Sequence, residues 1–205
     1  MKKTLFLFMI AVLIPLSVYA APDRVGQWDA GVNISGNLLS DDNTSDAFYL
    51  GGNVSYGLKD WLGLGISIGW SDSTFDVTSP SGSSSGKGGR VTSVPIFADF
   101  IFRAPTYSYK DVVPYGVMGI GGIFDSVHGS GTSSNYGYTI KANDGFAFKL
   151  GAGIDWFANN NWVYNLETGY VFTDASVDVK NPNGSLRSTV DLDYYYIGGG
   201  VKWLS

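Results

Sequence analysis

Apolar and polar residues alternate along most of this chain with a period of two. The first run sets Trp28, Ala30, Val32, Ile34, Gly36 and Leu38 against Asp29, Gly31, Asn33, Ser35 and Asn37. The second sets Phe48, Leu50, Gly52, Val54, Tyr56 and Leu58 against Tyr49, Gly51, Asn53, Ser55 and Gly57. A third follows with Leu62, Leu64, Ile66, Ile68 and Trp70 facing away from Gly63, Gly65, Ser67, Gly69 and Ser71. Runs of the same kind start at Phe146 and Trp162. Successive side chains of a strand point to opposite faces, so each run predicts a strand with one apolar face and one small, polar face.

Three further runs are less regular. Val94, Ile96, Ala98, Phe100 and Phe102 share a face, but Phe97 and Ile101 fall on the other. Between Pro114 and Phe124 the chain is rich in glycine, and Met118, Ile120 and Phe124 mark the apolar face. At the end, Tyr195, Ile197, Gly199, Val201 and Trp203 oppose Tyr194, Tyr196, Gly198, Gly200 and Lys202. Eight strands of roughly eleven residues each are long for a soluble sheet and match tilted membrane strands.

Alternation alone does not say whether the apolar face meets lipid or a protein core. Three features point to lipid. The connections at residues 59–60, 104–112 and 158–161 are short, whereas 40–46, 72–89, 126–144 and 173–188 are long. Short turns on the periplasmic side and long loops outside are the asymmetry of outer-membrane barrels. Trp28, Trp61, Trp156, Trp162 and Trp203 all fall at the periplasmic strand ends and Trp70 toward the other rim, as an interfacial aromatic girdle requires. The polar face is built from Gly, Ser and Asn, and Glu167 is the single glutamate, which suits a narrow lumen better than bulk water. The expected fold is all-β: an eight-stranded antiparallel transmembrane barrel with short periplasmic turns and long extracellular loops.

Composition narrows the function. Residues 1–20 read as an export signal, with Lys2 and Lys3 before the apolar run Leu5 to Val18 and small residues at Val18-Tyr19-Ala20. Residues 21–205 then form one barrel domain. The net charge of -5 becomes more acidic once Lys2 and Lys3 leave, which argues against nucleic acid as a partner. With no cysteine and one histidine, thiolate and His-rich metal sites are excluded. No catalytic set, metal site or cofactor is expected.

The charged residues on the polar face are Asp29, Asp99, Arg103, Lys149, Asp155, Glu167 and Lys202. Closure of the barrel is expected to bring Lys202 to Asp29, and Glu167 opposite Gly151 or Gly153 near Lys149 and Asp155. Such a cluster either fills the lumen as an ion network or acts as a gate whose pairs exchange; an eight-stranded bore favours the filled lumen. His128 and Ser130 raise a lipid-modifying enzyme; Asp125 or Asp144 could orient the histidine, but nothing in the spacing compels either. Asp41, Asn43 and Ser45 imitate the start of a calcium loop, yet Asp46 stands where glycine belongs. Gly82 to Lys87 fails as a phosphate loop, and Pro80 to Gly89 reads as flexible filler.

Certain segments resemble the small outer-membrane β-barrel superfamily of opacity-type, OmpX-like and OmpW-like proteins. They are Thr92-Ser93-Val94-Pro95, Val113-Pro114-Tyr115-Gly116-Val117, Leu150-Gly151-Ala152-Gly153-Ile154-Asp155 with Asn161-Trp162, Glu167-Thr168-Gly169-Tyr170, and Gly199-Gly200-Val201-Lys202-Trp203. The resemblance implies a monomer in a Gram-negative outer membrane, inserted by the barrel assembly machinery and in contact with lipid and lipopolysaccharide. In the OmpW branch it also implies a narrow channel for small apolar solutes, with Phe97, Ile101 and Tyr115 as lining. The expected role is structural or surface-interacting with a plugged polar lumen; the alternative is a narrow conduit for small hydrophobic or ionic solutes.

Overall fold

The computed structural model describes residues 24–39, 47–78, 85–104, 112–129, 139–159, 161–180 and 187–205. The expected export signal and the calcium-like segment 41–46 lie outside them, as do Ser130 and residues 80–84. Eleven strands occur among the described residues: β1 (Trp28–Leu39), β2 (Ala47–Lys59), β3 (Leu62–Thr78), β4 (Ser85–Arg103), β5 (Val112–Gly129), β6 (Thr139–Asn143), β7 (Gly145–Phe157), β8 (Trp162–Thr173), β9 (Ser176–Lys180), β10 (Arg187–Asp191) and β11 (Tyr194–Leu204). Eight of them close a barrel in the order β1-β11-β8-β7-β5-β4-β3-β2, every pair antiparallel.

The period-two pattern dictates which way each side chain points. Val32 and Ile66 are 65% and 63% exposed on the outer face, while their neighbours Asn33 and Ser67 turn into the bore. A continuous apolar surface of this kind around a whole barrel has no stable place in water and marks a lipid-facing wall. Inward glycines let long side chains fill so narrow a bore: a Cβ at Gly119 would lie 2.5 Å from Asp99 Oδ1.

The long connections differ from the expectation. β3 and β4 run on as an extended hairpin to Thr78 and from Ser85, so residues 85–89 are strand rather than loop filler. Segments 126–144 and 173–188 contribute β6, β9 and β10, which form a separate three-stranded sheet in the order β10-β9-β6. Each of these strands has five residues, too few for alternation to stand out from loop composition. Ala175 and Val177 join Leu192 in covering the outer end of the lumen, packing with the inward-facing Val91, Ile123 and Val171.

Candidate functional site: the closed lumen

The periplasmic end of the bore is crossed by five charged side chains, none more than 7% exposed. Asp29 is the first inward residue of β1 and Asp155 the last inward carboxylate of β7. Arg103 Nη2 donates to Asp29 Oδ2 at 3.1 Å, joining β4 to β1 across the bore. Lys202 Nζ donates to Asp155 Oδ1 at 2.8 Å, joining β11 to β7. Ser55, paired with Asp29 in the β1–β2 register, adds a hydroxyl bond of 2.7 Å to Asp29 Oδ2.

The fifth member, Arg24, lies before the first strand. Its turn is built on Gly26, whose φ of 80° suits glycine, and Gly26 N donates to Gly57 O at 2.9 Å. From there the guanidinium enters the bore, 3.6 Å from Asp29 and 3.5 Å from Asp155, over the ring of Phe157 at 4.7 Å. Removing charges from water is costly, and this cluster persists because each carboxylate has cationic partners.

A second polar layer lies above. Lys149 Nζ is 2.8 Å from Asp99 Oδ1, and Ser67 donates to Asp99 Oδ2 at 2.7 Å. Lys149 also lies over the ring of Phe97, 5.1 Å from its centre. Glu167, opposite Gly153, accepts hydroxyl bonds from Tyr115 at 2.7 Å and Tyr196 at 2.8 Å. Inward glycines make room for these rings: a Cβ at Gly169 would lie 2.6 Å from the Tyr196 hydroxyl.

The structure therefore brings all seven expected lumen charges inside the barrel, but it changes their pairing. Lys202 Nζ reaches Asp155 on β7, two strands away, and Asp29 is held by Arg103 and Arg24. The ion partner of Lys149 is Asp99, and the partners of Glu167 are the two tyrosines. Arg24 and the donor role of Tyr115 and Tyr196 escaped the sequence reading. A basic residue just ahead of the first strand, and tyrosines facing inward glycines, were the available signals. Glu167→Ala strands two buried phenol donors, so it is expected to lower unfolding stability by about 1–3 kcal/mol, whereas Glu167→Gln retains an acceptor and costs less. Urea midpoints of the two variants check this; equal midpoints for Ala and wild type would remove Glu167 from the network.

The tryptophans lie on the outer face. Trp28, Trp61, Trp156, Trp162 and Trp203 are exposed at the periplasmic strand ends, with Trp162 and Trp203 in register, and Trp70 is exposed toward the outer rim. Beyond that rim, a hydrogen bond from Arg90 holds the Asp72 carboxyl below its usual pKa. His128 is exposed on the outer face of β5, whereas Asp125 faces the lumen and accepts the Ser93 hydroxyl. These two residues point away from each other, and the described residues assemble no nucleophile–base pair around His128.

The outer half of the lumen has a different character. One cavity there is lined by Phe97, Val171, Tyr194 and Tyr196 and by polar residues that include Asn37, Asn165, Lys149 and Glu167. A neighbouring cavity shares Asn37 and Tyr194 with it and reaches Pro95, Ile123 and Leu192. At Pro95 the β3–β4 hydrogen-bond ladder is interrupted although its register is kept. The β3–β4 ladder pairs Ile68 with Ile96 and Ser71 with Ser93, but the intervening Gly69–Pro95 and Trp70–Val94 pairs are missing. Proline has no N–H to donate, and its neighbours stay in register with β5 on the other side.

No protein-family model matches the chain, and no curated protein matches it. Solved structures do. The outer-membrane protein OprG of Pseudomonas aeruginosa superposes with a TM-score of 0.69 at 16% identity, over 93% of this chain and 98% of OprG. Ail, the attachment invasion locus protein of Yersinia pestis, gives 0.53 at 13% identity, over 88% and 99%. Outer membrane protein W of E. coli gives 0.53 at 16% identity, over 88% and 98%. The chain thus has the fold of the small outer-membrane β-barrels, with the apolar outer wall that such a barrel turns to the lipid of that membrane.

Proposed function

We propose that this protein is a non-enzymatic outer-membrane barrel, shut along its axis, that takes small apolar solutes from the outer lumen sideways into the membrane. The observation that carries this reading is the position of the ladder break. It lies at Pro95, beside a cavity lined by Leu39, Ile123 and Leu192 together with serines, while the axial route ends on a buried ion network. An apolar molecule loses nothing by leaving through a lipid-facing gap, whereas crossing five buried charges would strip their partners. Export by residues 1–20, insertion by the assembly machinery, a monomeric state, and a headgroup-level role for the six tryptophans complete the proposal.

Uptake of a small apolar fluorophore into proteoliposomes tests it. Wild type is expected to speed uptake over empty vesicles, and Pro95→Ala, which restores a backbone donor facing β3, is expected to slow it several-fold. Uptake equal to that of empty vesicles would overturn the conduit. A second reading then stands, favoured by the β10-β9-β6 sheet over the outer mouth: a plugged barrel whose role is structural or lies in surface contacts.

A further inference from the structure

Arg24 reaches the floor cluster by a different route from the other four charges. Asp29, Arg103, Asp155 and Lys202 are fixed to strands of the wall, whereas Arg24 enters from below on the turn preceding β1. The wall residues form two complete pairs without it. Arg103–Asp29 links β4 to β1, and Lys202–Asp155 links β11 to β7. Arg24 lies between them as the third cation on two carboxylates, bridging β1 to β7 across the bore with β11 and β8 between those strands.

Above this point the bore holds two cavities with polar residues in common. The outer cavity and a deeper one share Asn33, Ser67, Lys149, Asn165 and Glu167 in their linings, and the deeper one reaches down to Ser55 and Lys202. A polar column therefore descends from the outer half of the lumen to the floor and stops where Arg24 fills the gap between the two wall pairs. The turn that carries Arg24 rests on one glycine: a Cβ at Gly57 would stand 1.9 Å from the Arg24 carbonyl oxygen.

We propose that Arg24 is a removable stopper and its turn a latch, so that displacing residues 24–27 opens an axial path for small inorganic ions. The proposal rests on the sealed floor and is independent of the sideways route for apolar solutes. Loss of the latch leaves one cation for each floor carboxylate, so the barrel keeps its wall-to-wall pairs and its fold.

The test is single-channel recording of refolded protein in a planar bilayer in potassium chloride, with heat-dependent gel migration reporting the folded barrel. Wild type is expected to be silent and Arg24→Ala to show discrete steps. Gly57→Ala alters no charged residue and is expected to open the path by pushing aside the turn that carries Arg24. Arg24→Cys is expected to conduct as well. Since the chain has no other cysteine, a positively charged methanethiosulfonate should close it and a neutral one should not. Silence from folded Arg24→Ala and folded Gly57→Ala overturns the stopper. Failure of both to fold would make Arg24 a structural pin and overturns it equally. A conducting wild type would instead contradict the seal, and a loss of apolar uptake in Pro95→Ala leaves this test untouched, so the readings fail separately.

Discussion

Asp155→Ala is expected to destabilise the barrel by about 3–5 kcal/mol, the cost of leaving a buried charge without its partner. Asp155 is 1% exposed and takes both the Lys202 ammonium and the Arg24 guanidinium. Its removal takes from Lys202 the carboxylate 2.8 Å away and leaves Arg24 with Asp29 alone. The vacated space lies among the other buried charges of the floor. Asp155→Asn keeps the shape and an acceptor but loses the charge, and should fall between wild type and alanine. Equilibrium urea unfolding followed by tryptophan fluorescence gives the order directly. A loss below about 1 kcal/mol for alanine would show that the floor charges are solvated, and the seal would go with them.

Ile66→Arg should cost about 2–4 kcal/mol, because Ile66 lies on the lipid-facing side of β3 midway between the rim residues Trp61 and Trp70. The same change at Leu58, next to Lys59 at the periplasmic rim, should cost about 0–1 kcal/mol, since an arginine there reaches the headgroups. Both leucine and isoleucine are exposed in the structure, so a soluble barrel would tolerate either arginine equally. Folding into lipid vesicles, with unfolding followed at matched lipid composition, separates the two. Equal and small losses at both positions would contradict the membrane wall.

The orientation of the wall was legible because a strand offers only two faces. Tyr195 and Tyr196 are neighbours with opposite environments, and the period of two assigned them correctly. Phe97 and Ile101, which broke the alternation, do face inward; Phe97 belongs to the apolar outer lumen. Partner choice was less legible. Lys202 lies beside Gly31 in the β1–β11 register, as closure requires, yet its long side chain reaches across β8 to Asp155. Strand adjacency fixes the backbone, whereas a bore only a few side chains wide lets flexible cations choose among carboxylates on several strands.

Arg24 was invisible for another reason. It precedes the first periodic segment, so nothing in the alternation assigns it an inside. Tyr115 reads as apolar lining because its ring is apolar; its hydroxyl reaches Glu167 because Gly153, its cross-strand neighbour on β7, has no side chain in the way. β6 and β9 were absorbed into loops since five residues give too little alternation, although Val177 proved to be buried beneath the cap. Pro95 falls within a family-like segment, but only the paired registers of β3 and β5 show which neighbour loses its hydrogen bonds.

The sealed axis is tested most directly by recording the ion conductance of the wild-type barrel, folded by the gel criterion, in a planar bilayer. A flat baseline at moderate voltage is the expected result, with the floor closed by Arg24, Arg103 and Lys202 on Asp29 and Asp155. Stable, discrete conductance steps from the unmodified protein would contradict it, and would show that ions pass the five buried charges.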